Sequence, residues 1–226
     1  ILIPRHNCPH LGNTVASLID SVRVISGIHV EIFIVCSNCD DYFVRMARTL
    51  SSINSLNNLT ISLIVEKLPG KARAINTAVN AIEPKIADPI LVICDDVVIS
   101  ENSLSLIVKL LSSSKEPFTM ALYNKPLYTS SDTLLTNVMK LHHVLFYCYE
   151  NKYLTGRAFL YFPVFIGSLP EDLVSEDLYV AKRSDEEHIP QFVTENKYFV
   201  HYYKPKHWKD YLRMVKRFDF SYRQFQ

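Results

Sequence analysis

The 226-residue sequence predicts an α/β domain: a largely parallel sheet with helices on both faces. Three observations point there. Short apolar runs alternate with amphipathic stretches from residue 1 to residue 123, the rhythm of βαβ units. One of those runs, PILVIC, is apolar without interruption, as a strand buried on both faces requires. A hydrophobic content of 48% over this length fills a core of one domain, with room for a small appended lobe.

In order, ILIP opens the series as a strand and NTVASLIDSV follows as a helix. HVEIFIV and TISLIV are the next strands, each followed by an amphipathic helix, DYFVRMARTL and KARAINTAVNAI. The second of these helices is introduced by a turn at Pro69-Gly70. PILVIC is the fourth strand, ENSLSLIVKLL the next helix with Ser100 as its N-cap, and FTMALY the closing strand. Beyond Asn124 the pattern changes. An amphipathic helix is predicted from about Asp132 to Tyr149, then an aromatic segment from Tyr153 to Phe165. Short strands are predicted near Gln191–Thr194 and Tyr198–Tyr203, and HWKDYLRMVKRF reads as a helix with basic residues on several faces. No internal repeat or low-complexity linker interrupts the chain.

Net charge is +1, from 24 basic and 23 acidic residues, which excludes a bulk field that would draw the protein onto nucleic acid. Five cysteines, an odd number, read as free thiols in a reducing compartment, so the cytoplasm is the expected location. No apolar run nears the roughly 18 residues of a spanning helix, and no signal peptide opens the chain. The chain begins on a strand without an initiator Met and stops in FDFSYRQFQ, as a piece of a longer protein does.

Two acidic pairs carry the chemistry. Asp95-Asp96 ends the apolar strand PILVIC, at the edge where open α/β sheets hold ligands. Oxygen ligands there suit Mg²⁺ or Mn²⁺ bound together with a diphosphate, although Asp in a solvated turn fits the same two residues. Glu176-Asp177, in LPEDLVSEDLYVAKR, stands at a predicted helix start. It can supply a base for an acceptor hydroxyl, or simply satisfy the free amides of a first helical turn. In PGKARAIN a Gly turn opens a helix whose amides, with Lys71 or Arg73, can face phosphate; it is equally ordinary punctuation. Arg213 and Arg217 stand one helical turn apart and fit a diphosphate or a solvated face. His6, Cys8, His10, Cys36 and Cys39 offer zinc ligands at an uncommon spacing, with buried thiols as the default. The aromatic segment suits core packing, an acceptor sugar or a peripheral membrane contact.

Taken in their order, these motifs resemble those of inverting glycosyltransferases of family 2, which have the GT-A fold, a Rossmann-like sheet. ILIPRHN matches that family's opening strand and loop, IFIVCSNCDD its nucleoside loop, GKARAIN its Gly-Lys helix and ICDDVVISENSL its metal strand. LTGRAFLYF and LPEDLVSEDLYVAKR match its acceptor side. The resemblance implies that residues 1–123 bind a nucleotide-sugar and that 124–226, in the same domain, hold the acceptor and the base. Pro4, His6, Ser37, Lys71, Arg73, Asp95 and Arg217 would contact the donor. Asp96, with Asp95, would bind Mg²⁺ or Mn²⁺, and His201 is a further metal ligand by analogy, or else a packed strand residue. Asp177, with Glu176 beside it, would be the base, and Gly156 and Arg183 would meet the acceptor. Cys36-Ser37 replaces the family's common acidic pair, and Met214 stands where the QxxRW motif of processive synthases has Gln, which argues against processivity.

The expected activity is metal-dependent, inverting transfer from a UDP-sugar to a hydroxyl of a glycan, a lipid-linked or a small-molecule acceptor. Membrane association is expected through the aromatic region or a segment outside the chain. A sugar-phosphate nucleotidyltransferase is the second enzymatic reading, weakened because ILIPRHNCPHLGN lacks clustered glycines. A catalytically silent module that binds sugar-nucleotide or a partner is the third.

Overall fold

The computed structural model describes residues 1–5, 9–52, 57–82, 88–173 without 151–156, 175–195 and 197–224, the backbone alone at 146–150, 218, 221 and 222. In chain order the elements are β1 (Leu2–Arg5), α1 (Leu11–Arg23), β2 (Val30–Ser37), α2 (Asp41–Ser51), β3 (Leu59–Glu66), α3 (Lys71–Ile82), β4 (Ile90–Ile93), β5 (Val97–Ile99) and α4 (Ser103–Ser113). There follow β6 (Thr119–Ala121), β7 (Tyr123–Leu127), α5 (Thr133–Glu150), β8 (Ala158–Tyr161), α6 (Pro163–Ile166), α7 (Glu176–Glu186), β9 (Gln191–Val193), β10 (Phe199–Tyr203) and α8 (Trp208–Gln224).

A seven-stranded sheet runs β3-β2-β1-β4-β8-β6-β9. Strands β1 to β4 are mutually parallel, β8 is antiparallel to both β4 and β6, and β9 is parallel to β6. Only β8 therefore opposes the common direction. The strands alternate as a twofold pleat demands. Ile3, Ile34, Ile93 and Leu160 face a core closed by α1, α2 and α4. Leu2, Val35, Val92 and Phe159 face the opposite core, closed by α3, α6 and α7. Fully burying each such side chain stabilises the fold by about 1.5–3 kcal/mol, so both helical layers are held by the same short strands.

Three differences from the sequence pattern matter for the site. FTMALY does become β6, but β8, from the second half of the chain, is inserted between it and β4. Residues 158–162 of the aromatic segment are thus buried core, while Val164 and Phe165 beside them are exposed. Two strands were not anticipated, β5 and β7; with β10 they form a three-stranded sheet in the order β5-β10-β7. Ser100 does not cap α4, which begins at Ser103 with Asn102 in the cap position. Its hydroxyl instead accepts from Phe199 N at 3.2 Å and pairs with the Ser103 hydroxyl, tying β10 to the start of α4. Among the described residues, no helix is long and apolar enough to cross a membrane.

Candidate active site

A cavity of about 1140 Å³ lies over the C-terminal ends of β1, β2 and β4, and both acidic pairs line it. Asp95 and Asp96 come from the turn after β4, Glu176 and Asp177 from the first turn of α7. The wall between β10 and α8 adds Lys204, Lys206 and His207, then Arg213 and Arg217.

At the first pair, Asp96 Oδ2 accepts a 2.6 Å hydrogen bond from Arg157 Nη1, with the two side chains 23% and 30% exposed. The Arg157 guanidinium also lies 4.9 Å from the centre of the Tyr202 ring. Burial is the largest influence and opposes this charge, but Asp96, Cys94 and Tyr202 together outweigh it and hold Arg157 above the ordinary arginine value. The other oxygen, Asp96 Oδ1, is buried and accepts no hydrogen bond from the described residues. An orphaned carboxylate oxygen beside a second carboxylate is the hard donor set that Mg²⁺ and Mn²⁺ favour, so the residues fit such an ion. Among the described residues, no group of three His, Cys, Asp or Glu could hold a metal.

The second pair is built differently. Glu176 is 2% exposed and its Oε2 stands 3.1 Å from Lys71 Nζ, which comes from the first turn of α3. Burial alone would lower the pKa of this ammonium, but neighbouring Cys94, Glu176 and Asp177 raise it above the usual lysine value. Burial also raises the Cys94 pKa, keeping that thiol neutral, so the two carboxylates carry the effect. Asp177 Oδ1 accepts from Leu178 N at 3.0 Å, one of the free amides of the helix start. Breaking the Lys71–Glu176 pair leaves a buried carboxylate uncompensated. Lys71→Met is expected to lower stability by about 3 kcal/mol, measured by urea unfolding, and a loss below about 1 kcal/mol would show that water reaches Glu176.

The remaining predicted residues divide. Pro4, Ser37, Lys71 and Arg217 line the cavity. Ser37 Oγ donates to Leu68 O at 2.7 Å and to Gly70 O at 3.4 Å, pinning the turn that precedes α3. Gly70 adopts φ +132°, where a side chain is strained, and this explains the glycine in that turn. Arg73 is turned to an ion pair with Glu171 and does not line the cavity. Arg183 does not either: it holds Glu186 and Glu187 on the surface of α7, at 2.6 and 2.8 Å. His201 alternates with Tyr202 on β10, its ring 4.8 Å from that of Phe199, and is not among the lining residues. His6, Cys8 and Gly156 lie outside the described residues. Cys36, Cys39 and Cys94 are free thiols, and burial, with Cys39 nearby, pushes the Cys36 thiol up to about 12. The sequence reading missed Arg5, Arg157 and Lys204, and took His10 only as a candidate zinc ligand, whereas all four line the cavity. Arg157 alone carried a usable signal, a cation between a glycine and an apolar run in the sequence.

No protein-family model matches the chain, and no curated protein does. Solved structures do match. A mannosyltransferase from Pyrobaculum calidifontis, in complex with GDP-Man and Mn²⁺, superposes at a TM-score of 0.64 with 16% identity, over 98% of this chain and 63% of that one. TarS from S. aureus gives 0.63 and 11%, over 90% of this chain and 36% of that one. The chain has the GT-A fold. Glucosyl-3-phosphoglycerate synthase from Mycobacterium tuberculosis, in complex with Mn²⁺, UDP and glucosyl-3-phosphoglycerate, matches at 0.55 with 13% identity, over 96% and 75%. At such identities the likeness is one of GT-A fold, and this chain spans less than two thirds of the length of the first two structures.

Proposed function

We propose that this GT-A chain is an inverting glycosyltransferase of the family 2 type, moving a sugar from a UDP-sugar to an acceptor hydroxyl. The observation that carries this is the convergence of Asp95-Asp96 and Glu176-Asp177 on one cavity. Asp96 and Asp95 would hold Mg²⁺ or Mn²⁺, which when bound supplies positive charge to the diphosphate. Asp177 takes the proton of the acceptor hydroxyl as its oxygen forms a bond to the anomeric carbon. The bond from that carbon to the diphosphate breaks on the opposite side, and nucleoside diphosphate leaves. Lys71, fixed by buried Glu176, and Arg217 favour the charge that builds on the leaving oxygens. Residues 1–123 thus serve the donor and 124–226 the acceptor, a glycan, lipid-linked or small-molecule alcohol. A cytoplasmic setting with peripheral membrane contact suits an enzyme of this kind, Val164 and Phe165 being the exposed part of the aromatic segment.

The similar structures support a nucleotide-sugar donor, since two of them are complexes of Mn²⁺ with a nucleotide or nucleotide-sugar. A second reading, a silent sugar-nucleotide-binding module, is favoured by the Arg157–Asp96 pair, which occupies one carboxylate oxygen with a guanidinium. UDP-glucose and UDP-N-acetylglucosamine in excess with Mn²⁺ are expected to raise the melting temperature by about 5–10 °C. A shift no larger than that of Mn²⁺ alone rejects the UDP-sugar assignment; binding without transfer to any acceptor leaves the silent module.

A further inference from the structure

Arg5 ends β1 and lines the cavity, yet its side chain is only 1% exposed. Its Nε, Nη1 and Nη2 are all buried, and none makes a hydrogen bond with a described residue. The guanidinium lies 4.7 Å from the centre of the Phe43 ring, a cation–π contact that holds it without meeting any of its five N–H donors. A guanidinium cannot shed its proton, so burial without acceptors is a standing destabilisation that a ligand in the cavity relieves.

The sheet says which part of a ligand arrives there. β1 lies between β4, whose end carries Asp95 and Asp96, and β2, whose end carries Ser37. The other carboxylate wall belongs to α7, which packs on β6 beyond β8, on the far side of β4. With the diphosphate over β4 and the acceptor toward α7, the nucleoside extends over β1 and β2, strands about 5 and 10 Å away. Ser37 Oγ is already given to Leu68 O and Gly70 O, so among the described residues Arg5 is the donor-rich group at the ends of β1 and β2.

We propose that Arg5 determines base specificity by donating to a keto oxygen of the nucleobase, selecting uracil over cytosine and guanine over adenine. Both keto bases present an acceptor, O4 or O6, where their amino counterparts present an NH₂ donor, and a donor-only guanidinium opposes NH₂. The inference rests on the sugar-nucleotide reading above. Binding of UDP, CDP, GDP and ADP with Mn²⁺ is measured by calorimetry for the natural chain and for Arg5→Met. The natural chain is expected to prefer UDP to CDP, and GDP to ADP, by about 10- to 100-fold. In Arg5→Met both preferences shrink to within about threefold, with the diphosphate contacts still holding all four. The variant tests its own fold: with a buried, unsatisfied charge removed, its ligand-free melting temperature is expected to rise by about 2–4 °C. A lower melting temperature shows the guanidinium satisfied within the folded chain and overturns the inference. Keto preference that persists in Arg5→Met, or that is absent from the natural chain, overturns it alone. Failure of all four nucleotides to bind the natural chain removes the sugar-nucleotide reading as well.

Discussion

Asp177→Ala is expected to slow sugar transfer by about 10²–10⁴-fold, the usual contribution of a positioned general base, while UDP binding with Mn²⁺ changes less than about threefold. The split follows from the architecture. Asp177 stands on α7, which packs toward β6, whereas the groups proposed to face the nucleotide stand at the ends of β1, β2 and β4. Deleting its carboxylate leaves the proposed donor wall untouched and removes the group proposed to take the acceptor proton. Asp177 also accepts from Leu178 N at the helix start, so the variant is expected to lose about 1 kcal/mol of stability. Asp177→Asn retains a side-chain acceptor for Leu178 N and separates the two roles: it should regain the stability and none of the turnover. Transfer by Asp177→Asn at the natural rate would remove Asp177 from the mechanism.

Asp96→Ala is expected to weaken Mn²⁺ binding in the presence of UDP by at least about 100-fold, since loss of even an outer-shell partner of a metal costs 10- to 100-fold. Titration of the Mn²⁺ electron paramagnetic resonance signal measures this without reference to turnover. The same change deprives Arg157 of its carboxylate partner. That pair is only partly buried, so its loss should move stability by about 1 kcal/mol or less. Affinity and stability therefore respond very differently at Asp96, in contrast to Lys71→Met, where the partner carboxylate is buried and stability falls most. Mn²⁺ affinity that is unaltered in Asp96→Ala would show that the cation, if it binds, is held elsewhere.

Much of the fold was legible in the chain because parallel strands are covered on both faces and must be apolar throughout. PILVIC announces itself by that requirement, HVEIFIV and TISLIV as short apolar-rich runs between amphipathic stretches, and the helices between them by their period. β5 and β7 carried no such signal. Val97–Ile99 follows the acidic turn with only three residues, and Tyr123–Leu127 contains Asn124, Lys125 and Pro126, which disfavour a strand read in isolation. Both are strands because β10 pairs with them from the far end of the chain.

The site divides along the same line. Asp95, Asp96, Glu176 and Asp177 stand out in sequence because each acid interrupts or follows a structural pattern, and all four line one cavity. Arg73, Arg183 and His201 matched residue types but not directions: two found carboxylates on the surface, and the third alternates with Tyr202 on β10. Arg5 was passed over because an arginine looks alike in sequence whether it is solvated or sealed beneath a ring.

Alone, then, the amino-acid order determined the strand and helix rhythm and where its acids stand, since burial on two faces and helical periodicity are written in neighbouring residues. Tertiary structure decided which charges meet across the cavity, Arg157 with Asp96 and Lys71 with Glu176, separated by 61 and 105 positions. It also decided that Arg5 is buried without a hydrogen-bonding partner among the described residues. Desolvation and pairing depend on which segments pack together, and those contacts form between elements remote in sequence.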